Sequence, residues 1–268
     1  MSLRIQNNVE AFNAQRMLSA NSEKVGKAME KLSSGYRINR AADDAAGLAI
    51  SEKLRGQING LAQANRNAGD AISLVQTGEG ALNEVHSMLQ RVRELAVQYK
   101  NGTLSTSDRT AIQSEVDQLK NEIERVGTDT EFNGTKLLSS AGTVSFQIGA
   151  GDGQQITAAT ISVGAQVSSA VFALSATGTS DIDEIDTAIN NVSAARADFG
   201  AVQNRLEHTV NNLASYQENL TASESRIRDA DMAEEMSKYS KLQILQQAGT
   251  SMLAQANQAP QSVLSLLR

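Results

Sequence analysis

The sequence has no cysteine and no tryptophan, a single proline, and aromatic side chains at only 3% of its 268 positions. The absence of cysteine excludes disulfides, thiolate metal sites and cysteine nucleophiles together. With so few rings, burial falls to Ala, Leu, Ile and Val, which suits closely packed helices. The lone Pro260 leaves the rest of the chain free of a residue that costs about 3 kcal/mol in a helix interior. No window reaches the roughly 18 apolar residues of a membrane span. The opening MSLRIQNNVEAFN lacks a basic region followed by an apolar stretch, so no cleavable signal peptide is expected.

What is present argues for order. Hydrophobic residues are 40% and charged residues 20%, outside the composition of disordered chains. The net charge of −6 is unevenly spread: residues 1–40 carry seven basic and three acidic side chains, residues 101–200 five basic and thirteen acidic. A basic arm suggests nucleic acid or lipid, but no stacking aromatics accompany it. Neither nucleic acid nor membrane is expected as a partner.

The dominant pattern is apolar spacing of 3, 4, 3, 4. One seam runs from Ile50 through Leu61, Ala68, Val75, Leu82, Leu89 and Val92 to Ala96, broken only by Gln57 and Gly78. Shorter seams run from Ile112 to Val126 and from Ile185 to Ile227. A 3.5-residue repeat keeps one stripe against a partner helix and favours left-handed supercoiling. At 1.5 Å per residue the first seam occupies roughly 70 Å of helix. The predicted fold is mainly α: long heptad-patterned helices forming a rod-like bundle with a small β-hairpin region, and terminal helices pairing as a coiled coil.

The ends repeat the pattern weakly. Ala11, Leu18, Val25 and Leu32 mark an N-terminal seam, and Leu245, Met252, Ala256, Val263 and Leu266 a C-terminal one. The run Leu242 to Leu267 carries no charge at all. These marginal seams are expected to pair with each other and with other molecules, since short isolated helices are marginal in water. Pro260 either kinks the last helix or lets it restart.

Two charged breaks, SSGYRINRAADDAAG (33–47) and SRIRDAD (225–231), are expected to lie side by side as connectors. Residues 134–178 hold seven of the nineteen glycines, and alternation at Val144, Phe146 and Ile148, then Ile161 and Val163, suggests a β-hairpin or two. The expected organisation is a terminal arm and connector at 1–44 and a rod domain at 45–224. That domain holds helices over 45–100, 106–127 and 182–224 and the β region 134–178. A connector and C-terminal arm at 225–268 follows.

Nothing in the sequence marks an enzyme or a cofactor. His86 and His208 stand alone on predicted helices, without metalloprotease spacing. GAGDG (149–153) is followed by a strand-like stretch rather than the helix a phosphate loop opens. DIDEID (181–186) lacks the glycine and distal glutamate of a calcium loop; acidic residues there suit a helix start, with Ser180 or Asp181 capping it. Asp43 and Asp44 are neighbours that point apart on a helix. QRVRELAVQ (90–98) admits two readings: a solvated face with a Gln90–Glu94 contact, or an interface where Arg sits beside exposed Leu.

KLSSGYRINRAADDAAGLAISEKLRGQINGL (31–61), LQRVRELAVQ (89–98), TEFNGTKLL (130–138), NRLEHTVNNL (204–213) and the segment from Glu224 to Arg268 resemble bacterial flagellins. The similarity spans nearly the whole chain outside about 140–180 and is of the short form lacking variable outer domains. The resemblance implies an extracellular filament subunit. It would be exported through the flagellar export apparatus, held by an export chaperone at its C-terminal arm, and bounded in the filament by hook-associated and cap proteins. It implies terminal arms that are disordered in the free subunit and pair as helices lining the filament's inner tube. It further implies that Gln90, Arg91, Glu94, Leu95 and Glu115 form an axial interface that Toll-like receptor 5 recognises. A hook–filament junction protein of the same superfamily is the alternative.

Overall fold

The computed structural model describes residues 8–167, 169–175 and 181–266, without the side chains of 169, 170 and 259–266. The described helices are α1 (Val9–Ser34), α2 (Ala45–Tyr99), α3 (Thr106–Asp129), the short α4 (Val163–Gln166), α5 (Asp181–Arg228) and α6 (Met232–Leu266). Strands β1 (Glu131–Phe132) and β2 (Thr135–Lys136) form one antiparallel pair, β3 (Gly142–Gln147) and β4 (Gln155–Thr160) another. The chain divides into two compact units: residues 1–56 with 219–268 (unit 1), and residues 57–218 (unit 2). That division falls within α2 and α5 rather than at the connectors.

Local chemistry sets the helix ends. Asn8 caps α1 by accepting from Ala11 N–H at 3.1 Å, and Gly35 closes it in the left-handed conformation, φ 75°. Ser105 and Asp108 form a reciprocal capping box at the start of α3. Asp44 does not sit on a helix beside Asp43; it precedes α2, and its Oδ1 accepts from Gly47 N–H at 2.8 Å. Asp181, almost fully buried, opens α5 and accepts from Ser175 N–H at 2.8 Å. Ser180, the other expected cap, lies outside the described residues.

Unit 2 holds the core. Every seam position of α2 from Leu61 to Ala96 is buried, as are Ile112, Val116 and Ile123 of α3 and Ile185, Ala188, Val192, Phe199 and Leu206 of α5. These residues belong to one apolar cluster that also takes in Leu137, Leu138 and Ile156. Gly78 completes the seam because a side chain would not fit: a Cβ there would stand 2.9 Å from the Phe199 ring.

The β region differs from its expected form in two places. Ile161 follows β4 without joining it, and Val163 starts α4, where it packs into the core. In addition, Asn133 (φ 49°) and Gly134 (φ 79°) turn a hairpin between β1 and β2 that the glycine count alone did not reveal. GAGDG is a turn between β3 and β4, with Gly153 at φ 80° and Ile148 N–H donating to the Gln154 carbonyl.

In unit 1, α1 and α6 pair. Asn8 Nδ2 donates to the Ala256 carbonyl and Asn21 Nδ2 to the Leu242 carbonyl, both at 2.8 Å. Partner numbers fall as α1 numbers rise, so the pair is antiparallel. The helix α6 continues through Pro260.

Candidate assembly surfaces

Unit 1 inverts the pattern of unit 2. Among the described residues its only buried apolar side chains are Ala28 and Ile38, whereas unit 2 buries thirty. Of thirteen exposed large hydrophobic residues among the described ones, eleven lie in unit 1. Monomeric surfaces rarely gather apolar groups in this way; interaction surfaces do.

On α1, the predicted seam Ala11, Leu18, Val25 and Leu32 is partly shielded, with Ala28 buried beside it. On α6 the predicted stripe needs correction. The face turned to α1 consists of Tyr239, Leu242, Gln246, Gly249, Leu253 and Ala256, all partly shielded. Leu245 and Met252 are instead exposed at 49% and 64%, and Ala256 is the expected residue that does face inward. Gly249 permits the close approach: a Cβ there would stand 3.3 Å from Leu18 Cδ1. The side chains of Val263 and Leu266 lie outside the described residues. Displaced from the α1 face, Leu245, Ala248 and Met252 form with Ala14 and Met17 an open apolar groove of about 880 Å³ along the helix pair.

The connectors hold this pair to the start of α2. Tyr36 bridges Asp229, Arg37 N–H donates to the Arg228 carbonyl at 2.6 Å, and Ala230 N–H to the Gly35 carbonyl at 2.9 Å. The break after α5 is thus only Asp229 to Asp231, because helix continues through SRIR. Arg228 stacks over Tyr36, 4.9 Å from the ring centre, and reaches Glu52 at 2.6 Å. That bond from Arg228 lowers the Glu52 pKa below its ordinary 4.5. Backbone N–H groups of Arg40 and Asn39 likewise hold Asp43 below 3.8. A depressed carboxylate stabilises the fold fully above its ordinary pKa and loses that contribution as pH falls through the lowered value. The connector is therefore expected to weaken below pH 4.5. Assemblies of the chain followed by light scattering are expected to lose mass on acidification, and Glu52→Gln is expected to remove part of that pH dependence.

Unit 2 presents the QRVRELAVQ segment on α2. Arg91 spans Glu115 of α3 at 2.8 Å and Glu94 at 3.0 Å, and these carboxylates, Glu115 foremost, raise its pKa. Gln90 meets His86 Nε2 at 3.0 Å rather than Glu94. Arg93 pairs with Asp186 of α5 at 2.6 Å. Leu95 is not exposed beside Arg91; at 1% exposure it belongs to the core, and Val97 is the exposed apolar residue, at 52%. Exposed pairs of this kind contribute little to stability; they define a surface more than they hold the fold. Among the described residues no group of three His, Asp or Glu side chains could hold a metal ion, and no helix is long and apolar enough to cross a membrane.

Comparison with known proteins gives these surfaces a setting. Residues 5–143 match the bacterial flagellin N-terminal helical region and residues 182–267 the bacterial flagellin C-terminal helical region. A flagellin of Halalkalibacterium halodurans is 53% identical, covering 98% of this chain and 99% of that protein. A flagellin of Bacillus subtilis is 50% identical over 99% of this chain and 100% of its own length. The crystal structure of Bacillus cereus flagellin is similar with a TM-score of 0.52 and 34% identity, covering 59% of this chain and 94% of that one. The chain belongs to the bacterial flagellin family and is a structural subunit of the extracellular flagellar filament, not an enzyme.

Proposed function

We propose that the terminal arms, residues 1–44 and 225–268, are the assembly element of this subunit and residues 45–224 its self-sufficient folded body. The observation that carries this reading is the near absence of a core in unit 1 beside its eleven exposed large apolar residues. Two amphipathic helices with one buried apolar side chain among the described residues, Ala28, do not offset the cost of ordering the chain, about 1–2 kcal/mol per residue for the backbone alone. Contacts with neighbouring copies supply the difference. The apolar groove at Met17, Leu245 and Met252 and the outward residues Phe12 and Ile244 are the surfaces those copies cover. Ordering on assembly makes spontaneous nucleation slow and growth at an existing end fast.

The test is addition of purified full-length protein to short filament seeds, followed by electron microscopy. Long filaments are expected. Subunits that bind seed ends once and stop would instead identify a junction protein.

The same exposed apolar arms require cover before assembly, which supports export through the flagellar export apparatus with a chaperone on α6. Filament ends carry the same faces, to which hook-associated and cap proteins bind. Gln90, Arg91, Glu94 and Glu115 form the axial interface and, in the free subunit, the surface that Toll-like receptor 5 reads, with Leu95 anchoring α2 beneath them. In receptor reporter cells, monomeric Arg91→Ala is expected to signal at least tenfold more weakly than the parent, in line with loss of a charged interface anchor. Equal signalling by both proteins, or none by either, rejects the receptor assignment.

A further inference from the structure

Five of the seven methionines share an unusual placement. Met17, Met29, Met232, Met236 and Met252 are exposed at 69%, 52%, 46%, 51% and 64%, and all lie on the helices of unit 1. Met88 alone packs against the unit 2 core, and Met1 lies outside the described residues. Met17 and Met252 line the same groove, from opposite helices, with Ala14, Leu245 and Ala248 as their apolar neighbours. Methionine is flexible and polarizable, which suits an adaptable contact surface. Its thioether is also the one group in this cysteine-free chain that mild oxidants convert reversibly from apolar to polar.

We propose that Met17 and Met252 are sites of reversible sulfoxidation in the free subunit, and that their oxidation blocks incorporation into the filament. The oxidant is a peroxide. A lone pair of the methionine sulfur attacks one oxygen of hydrogen peroxide, the O–O bond breaks, an S–O bond forms, and the second oxygen leaves as water after proton transfer. Sulfur loses two electrons and the peroxide gains them. The sulfoxide places a strong hydrogen-bond acceptor in a groove lined mainly by apolar side chains, with Glu10, Asn13 and Gln255 as its polar members. Covering that groove with a neighbouring copy then strips water from the added acceptor, a desolvation cost the apolar thioether does not carry. Assembly, conversely, shields both sulfurs, so the finished filament resists a dose that disables the free subunit. The proposal rests on the reading of unit 1 as the assembly element.

Three arms separate the two ideas. Full-length subunit is treated with hydrogen peroxide, the oxidant is removed, and seeded growth is compared with untreated protein; sulfoxide at each methionine is read by peptide mass spectrometry. Growth is expected to slow about tenfold or more, equivalent to about 1.4 kcal/mol or more, and to recover after treatment with methionine sulfoxide reductases and their reductant. The double variant Met17→Leu, Met252→Leu, compared with its own untreated growth rate, is expected to lose no growth after peroxide. Filaments treated before dissociation are expected to show little sulfoxide at either position. Unchanged growth of oxidised parent protein, or equal loss in the leucine variant, overturns the proposal. Equal oxidation of Met17 and Met252 in filament and free subunit contradicts the assembly reading itself.

Discussion

Removing residues 242–268 is expected to leave unit 2 folded and to abolish filament growth. The deleted segment belongs to unit 1, and its described residues contribute no buried side chain to the unit 2 core. Its loss strips α1 of the Leu242 and Ala256 carbonyls that Asn21 and Asn8 use, and removes one wall of the Met17 groove. The melting temperature of unit 2, read by calorimetry, is expected to stay within about 2 °C of the full chain, as for a change outside its core. Seeded growth is expected to fall below detection. Long filaments from the truncated chain would show that α6 does not carry assembly.

Leu89→Ala has the opposite signature. Leu89 is fully buried in the C-terminal part of α2, within the cluster shared by α2, α3 and α5. Cutting a buried leucine to alanine removes transfer energy and leaves a cavity, costing about 2–5 kcal/mol. Urea unfolding of the free subunit should show that loss as a lower midpoint at unchanged slope. Val97→Ala, on the same helix but half-exposed, should change stability by less than about 0.5 kcal/mol. A Leu89→Ala cost as small as that of Val97→Ala would mean that the seam does not organise the core.

The contrast between the two units also explains what could be read from sequence. Along α2 the 3.5-residue repeat marks burial from Leu61 to Ala96 without exception, because its partner helices belong to the same chain. Ile50, at the head of that seam, is exposed at 51% and lies in unit 1. On α6 the most apolar stripe, through Leu245 and Met252, is not the one that meets α1. Gln246 and Gly249 take that side, since small and amide side chains let two slender helices approach. Periodicity reports where an apolar partner lies, and for α6 we propose that this partner is another molecule. Leu95 is buried for a related reason: α2 is enclosed on more than one side, so a residue flanking the seam is covered too. The Asn133–Gly134 turn carried a readable hairpin signal, overshadowed by the longer glycine-rich stretch that follows it.

The account's central claim is that unit 1 completes its folding in the filament while unit 2 folds alone. Amide hydrogen exchange on the full chain, free and assembled, tests it directly. In the free subunit, α3 and the stretch of α2 from Leu61 to Ala96 are expected to be strongly protected, and α1 and α6 to exchange near the rate of unstructured chain. In filaments all of them should be protected. Strong protection of α1 and α6 in the free subunit would contradict the claim, because it would show that the helix pair is stable without its neighbours.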